Sequence, residues 1–306
     1  MLNRRILRVK VFKTLYSYAE NHGMTLREAE ALLDRSCEST RDLYLFLLAM
    51  AAPLTAEANA RLEAARAKFN PTEEERHPNL KFAQNRIASL LSEDPDFSKL
   101  TAKKHFAWDQ YDVLLRHLYE QLRERKYFRE YLDSGESSLE EDARLWVRIY
   151  ERELEDNAEL AEILEDLSIL WTDDLGYALS WCCRSLRAIG QGEPWRLPPL
   201  YQSELPGNES FESDHAFVVG LLRKGYAGFD DFCARVAELT PGWTRDRLCT
   251  TDLVLIACGM AEAELCPAVS PRIIINEYVE ISKYYSTPDS SGFVNGLLDK
   301  LINQHE

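Results

Sequence analysis

The stretch Ser270–Leu301, SPRIIINEYVEISKYYSTPDSSGFVNGLLDKL, decides the fold. Ser270 is a good N-cap residue and Pro271 suits the first helical position, where a missing N–H costs nothing. Ile273, Ile274, Tyr278, Ile281 and Tyr285 recur at helical spacing, while Asn276, Glu277, Glu280 and Lys283 fall mostly on the other side. One face packs and the other meets water. Thr287-Pro288 ends this helix, because the residue before a proline leaves the helical region and proline cannot donate to the preceding turn. Asp289 or Ser290 then caps a final helix striped by Phe293, Val294, Leu297, Leu298 and Leu301. The reading is two helices joined by a short polar elbow.

At the other end, Asn3–Tyr18 reads NRRILRVKVFKTLYSY. As a helix it places Arg4, Arg5 and Arg8 on neighbouring turns, with Leu7, Val11, Leu15 and Tyr18 on the opposing stripe. Five cations (Arg4, Arg5, Arg8, Lys10, Lys13) precede the first acid, Glu20, in a chain whose net charge is -15. Asp133 to Asp166 forms the opposite pole, with 13 acids against Arg144, Arg148 and Arg152. If all five N-terminal cations met single-stranded phosphate, counterion release would give a log-log salt slope of roughly -3.5.

The C-terminal pattern, with INE in one helix and STPDS leading into FVNGLLDK in the next, closely resembles the end of the NusB transcription antitermination family. The N-terminal arginines followed by Leu15, Tyr16 and Ser17 resemble that family's first helix. The resemblance implies an all-α fold, a NusB-like helical bundle of two subdomains, and a noncatalytic RNA-binding protein that joins NusE on the boxA segment of ribosomal RNA transcripts in the elongation complex. Arg4, Arg5 and Arg8 match the RNA-contacting arginine motif, and Asp289, Ser290, Phe293 and Asn295 match the elbow and helix start beside it, with Lys283 a weaker candidate. Tyr16 and Asp252 match positions used against NusE. Gly292 departs from the pattern, since a basic or polar side chain is common there. A NusB-like domain also precedes the catalytic domain of a family of ribosomal RNA cytosine methyltransferases, but five residues after Leu301 leave no expectation of one here.

Between the two matching ends lies an expected insertion. Thr25 to Phe69 carries further helical patterns, so the division expected is 1–69 for the N-terminal helices, 70–207 for a helical insertion and 208–306 for the C-terminal bundle. Residues 136–190 read as a helical hairpin duplicated from 208–262: Glu140, Asp142, Val147, Trp171, Thr172 and Asp174 reappear 72 residues later as Glu212, Asp214, Val219, Trp243, Thr244 and Asp246. Lys103–Arg129 mixes cations with Phe106, Trp108, Tyr111, Tyr119, Tyr127 and Phe128; an amphipathic core helix with Leu114, Leu115, Leu118 and Leu122 is favoured over an RNA platform. Gly190–Pro206, rich in Pro and Gly, reads as a linker.

A hydrophobic share of 45% with 28% charged residues describes a globular rather than a disordered chain. Seven cysteines, odd in number and without a C-x-x-C pair, suit buried thiols in a reducing cytoplasm. No secretory signal is expected, because Arg8, Lys10 and Lys13 interrupt the first apolar residues, nor a membrane span, since no run approaches 18 apolar residues. No GxGxxG, phosphate-loop, HExxH or GxSxG motif occurs, and the histidines form no spaced ligand pair, so neither enzyme activity, cofactor nor metal is expected. The alternative from a different class is a helical protein-interaction scaffold whose RNA site has decayed and whose acidic insertion recruits partners.

Overall fold

A computed structural model describes residues 1–106, 108–207, 213–241 and 249–303. Their regular structure is all helical, with no strand among the described residues: α1 (Arg4–Glu20), α2 (Leu26–Ala49), α3 (Ala51–Arg66), α4 (Glu73–Arg76), α5 (Arg86–Glu93), α6 (Pro95–Lys104), α7 (Asp112–Glu124), α8 (Lys126–Asp133), α9 (Leu139–Ile149), α10 (Ala158–Leu167), α11 (Leu175–Gly190), α12 (Asp214–Leu239), α13 (Thr250–Leu265), α14 (Pro271–Tyr285) and α15 (Ser290–Asn303). The chain divides into two compact units, one of Met1–Glu38 with Pro199–Glu306 and one of Ser39–Pro198. This places the division at 38 rather than the expected 69, because the buried side chains Leu43, Phe46, Leu47 and Leu54 belong to the second unit.

In the first unit α13 is the axis. Every residue from Asp252 to Glu262 is buried, which needs neighbours on all sides, and α12, α14, α1 and α15 supply them. Glycine sets the closest approaches: a Cβ on Gly225 of α12 would lie 2.5 Å from Leu15 Cδ1 of α1, and one on Gly259 of α13 would lie 2.7 Å from Leu298 Cδ2 of α15. The chain start is tied down as well, the Met1 amino group donating to the Pro199 carbonyl at 2.8 Å and Leu2 N–H to the Leu200 carbonyl at 2.9 Å.

The second unit is built on aromatic side chains with satisfied polar ends. Trp146 donates its indole N–H to Asn85 Oδ1 at 2.9 Å, Trp108 to the Phe46 carbonyl at 2.9 Å and Tyr150 its hydroxyl to the Leu47 carbonyl at 2.6 Å. Trp108, Tyr119, Tyr127 and Phe128 are buried with Leu114, Leu115, Leu118 and Leu122, so most of the basic-aromatic segment is core-forming helix, with Phe106 and Tyr111 half-buried. The expected linker is packed: Trp195 donates to the Tyr44 hydroxyl at 2.9 Å within this unit, and Leu200 and Tyr201 are buried in the other.

Within 136–190, where the sequence reading expects a hairpin, α9 packs on α11, and in the other unit α12 packs on α13. α12 is continuous, whereas α9 passes through a π turn at Tyr150–Leu154 and restarts at α10, where Asn157 Oδ1 accepts from Leu160 N–H at 2.9 Å. Glu212 and the Trp243-Thr244-x-Asp246 half of the sequence match lie outside the described residues. One stretch, Leu26–Arg66, is long and apolar enough by length and composition to cross a membrane, but 61% of its apolar window is buried inside the protein, as in a core helix.

Candidate nucleic-acid interface

The arginine motif begins where Asn3 caps α1, its Oδ1 accepting from Ile6 N–H at 3.0 Å. Each of the three arginines meets a carboxylate of the same unit. Arg4 Nε donates to Asp214 Oδ1 at 2.9 Å and its guanidinium lies 4.1 Å from the Phe217 ring centroid. Arg5 grips Glu277 with both arms of its fork, at 3.0 and 2.8 Å, and keeps 48% of its side chain exposed. Arg8 is 7% exposed and bidentate to Glu262 at 2.8 and 2.6 Å, with a third bond to Glu277 at 3.3 Å.

Glu262, only 1% exposed, also accepts the Tyr278 hydroxyl at 2.8 Å, so Arg8, Glu262 and Tyr278 form one buried network on α1, α13 and α14. Burial by itself would lower the Arg8 pKa, but the hydrogen bond and charge of Glu262 outweigh it and raise the value. Burial raises the Tyr278 hydroxyl well above its ordinary range, with Glu262 adding to it. The Glu277 carboxyl is held below its ordinary value, first by the Arg5 hydrogen bond and then, against the effect of burial, by the charge of Arg8. The structure thus places Arg8, expected at an RNA surface, in a core ion pair with its guanidinium bidentate to a buried carboxylate. Lys10 is likewise buried, donating to the Ser36 carbonyl at 2.7 Å.

α1 and α14 meet again a few turns further on. Phe12 lies 5.3 Å from Tyr285, and Lys13 sits over the Tyr285 ring at 5.6 Å. Tyr16, 37% exposed, lies one turn on from Phe12 with their centroids 6.4 Å apart. The elbow follows Tyr285 directly. There Asp252 is buried and accepts from Ser286 Oγ at 2.6 Å and Ser290 Oγ at 2.9 Å, and the two serine oxygens lie 2.9 Å apart. Asp252, expected against NusE, and Ser290, expected against RNA, are buried here and their polar atoms pin the elbow to α13. Asp289 and Asn295 are exposed, Phe293 is half-buried, and Lys283 is exposed and paired with Glu280 one turn back. The structure brings Tyr16, Lys13, Tyr285 and the elbow to one surface, with Arg5 on the same helix pair.

Sequence reasoning missed the acids that hold the arginines. Glu277 stands within the INE motif and Asp214 among the repeat positions, so their residue types were visible, but their pairing depends on helices 210 and 272 residues apart. It missed a second clasp as well. In the other unit Asn85 caps α5 and Arg86 Nε donates to Asp142 Oδ2 at 2.7 Å, as Asn3 caps α1 and Arg4 reaches Asp214. Both aspartates are buried near the start of the first helix of a hairpin, and they are the pair related by the 72-residue offset.

Comparison with known proteins bears on the first unit. The NusB family model matches residues 204–303. Similar relatives are the transcription antitermination proteins NusB of Chloroherpeton thalassium, 33% identical over 88 residues (29% of this chain, 42% of that protein), and of Natranaerobius thermophilus, 32% identical over 87 residues (28% of this chain, 60% of that protein). That of Methylacidiphilum infernorum is 37% identical over 68 residues, 22% of this chain and 48% of that protein. The chain spans about half the length of the curated relatives it matches. No solved structure matches. Residues 204–303, whose α12–α15 enclose the Glu262–Tyr278 pair that holds Arg8 and the elbow, are thus the part of this chain that is similar to the NusB family.

Proposed function

We propose that this protein is a noncatalytic transcription antitermination factor of the cytoplasm that binds boxA RNA of ribosomal RNA transcripts together with NusE and carries it to the elongation complex. The observation that supports the reading most is the family match of 204–303, whose elbow lies beside Lys13, Tyr16 and Tyr285. Arg5 and Asn295 supply hydrogen-bonding groups, Phe293 an aromatic face for an unpaired base, and Asp289 a carboxylate for base amino groups. Tyr16 is the NusE-facing candidate, since its ring is partly exposed.

The pairing of Arg4, Arg5 and Arg8 with carboxylates favours one competing reading, a helical scaffold whose RNA site has decayed. Fluorescence anisotropy of labelled boxA RNA against a scrambled RNA, with and without NusE, separates the two. Selective binding strengthened by NusE, and weakened by Arg5→Gln and Phe293→Ala with helicity unchanged, is expected; absence of any boxA preference in either condition overturns the RNA reading. With Arg8 and Lys10 buried, the log-log salt slope from this helix is expected to be shallower than the roughly -3.5 of five phosphate-facing cations.

A further inference from the structure

The arginines of α1 engage carboxylates of their own unit, whereas α14 and α15 enclose a groove whose polar groups have no such use. Its volume is about 600 Å³, within the ~300–1,000 Å³ typical of small-ligand sites. Ile275 and Val279 contribute apolar surface, and Arg272, Asn276, Asn295 and Asp299 contribute the polar groups. Asp299 Oδ1 accepts from Asn303 Nδ2 at 2.8 Å. The Arg272 guanidinium and the amides of Asn276 and Asn295 make no hydrogen bond or ion pair to any described residue, and all three side chains are exposed.

Two free carboxamides above apolar surface are the complement of a nucleobase. An asparagine amide offers a carbonyl to the adenine amino group and an N–H to the neighbouring ring nitrogen, and such edges are accessible in single-stranded RNA. Asp299 on α15 repels phosphate and accepts from amino groups, so the base belongs on the α15 side and the phosphate beside Arg272, at the start of α14. Asn276 precedes Glu277, the carboxylate that holds Arg5, so the groove and the arginine clasp flank one helix. We propose that this groove takes one adenine-bearing nucleotide of a single-stranded RNA, with Asn276 and Asn295 on the base edge and Arg272 on the phosphate. The proposal rests on the RNA-binding reading above and adds to it a base and a groove.

The test is anisotropy of the full chain with a short labelled RNA containing adenines and with the same RNA bearing uracil at those places. Wild type is expected to prefer the first by about ten-fold or more, the scale of a bidentate base contact. Asn276→Ala and Asn295→Ala are expected to bring the adenine RNA down to the uracil level, and Arg272→Ala to weaken both RNAs alike. Asn276→Asp, which keeps the shape and removes the amide donor, is expected to lose the preference too and guards against misfolding of the alanine variants. Retention of the adenine preference by these variants, or its absence in wild type, overturns the proposal. Displacement of the RNA by micromolar adenosine monophosphate also overturns it, by making the groove a free-nucleotide site. If Arg5→Gln abolishes RNA binding and the groove variants change nothing, the groove falls and the general RNA reading stands; if wild type binds neither RNA, both fall.

Discussion

Arg8 shows how one side chain's role turns on its environment. In the sequence it is the third member of a cationic cluster; in the fold it neutralises Glu262 in the core. Removing one partner of a buried pair strands the other charge, so Arg8→Ala is expected to destabilise the protein by about 3–5 kcal/mol, read from the midpoint of urea unfolding. An Arg4/Arg5/Arg8 triple alanine variant would therefore confound the proposed RNA contact with loss of stability, which is why Arg5→Gln is the cleaner probe. Glu277 links stability to pH. Its carboxyl lies below the ordinary 4.5 in the folded protein, so its stabilisation is complete above that value and disappears as pH falls through the lower folded one. Wild type is expected to lose its stability advantage over Glu277→Gln between pH 6 and pH 3, measured by denaturant midpoints across that range.

At the scale of elements, the bundle depends on how closely helices approach α13 and α1. Gly225 faces Leu15 with no room for a methyl group, and a buried apolar side chain cannot swing into solvent to make room. Gly225→Ala is expected to cost about 1–3 kcal/mol, measured by thermal or urea unfolding, with helix propensity offsetting part of it. Helix limits around the elbow were legible because Pro271 and Pro288 act locally. The hydroxyl-carboxylate knot beneath it was not, since Asp252 reaches Ser286 and Ser290 across more than 30 residues.

For the whole molecule, the division into units follows burial rather than sequence resemblance. The second half of α2 and α3 lie in a stretch that resembles the family's early helices, yet their apolar side chains complete the unit Ser39–Pro198. Replacing 70–207 with a short linker would strip the cover from Leu43, Phe46, Leu47 and Leu54 and remove the carbonyls that anchor Met1 and Leu2. Such a variant is expected to aggregate or bind a hydrophobic dye, seen by size-exclusion chromatography and dye fluorescence; a well-behaved soluble product would count against the structural division. An Asn-capped helix whose first arginine clasps a buried aspartate occurs in each unit.

The sequence by itself determined the helical class, the elbow, the likeness of the C-terminal third to the NusB family and most of the core stripe of the last two helices, though Ile273 is exposed, because periodicity, capping and proline effects are local and are written in neighbouring residues. Only the tertiary structure decided which charges remain available. Arg8, Lys10, Asp252 and Ser290 are polar in the sequence and buried in the fold, while Arg272 and Asn276, not among the site residues the sequence offered, stand at an open groove. The physical reason is that a charge's function depends on solvation and on the partner it meets, and those partners arrive from helices up to 272 residues away.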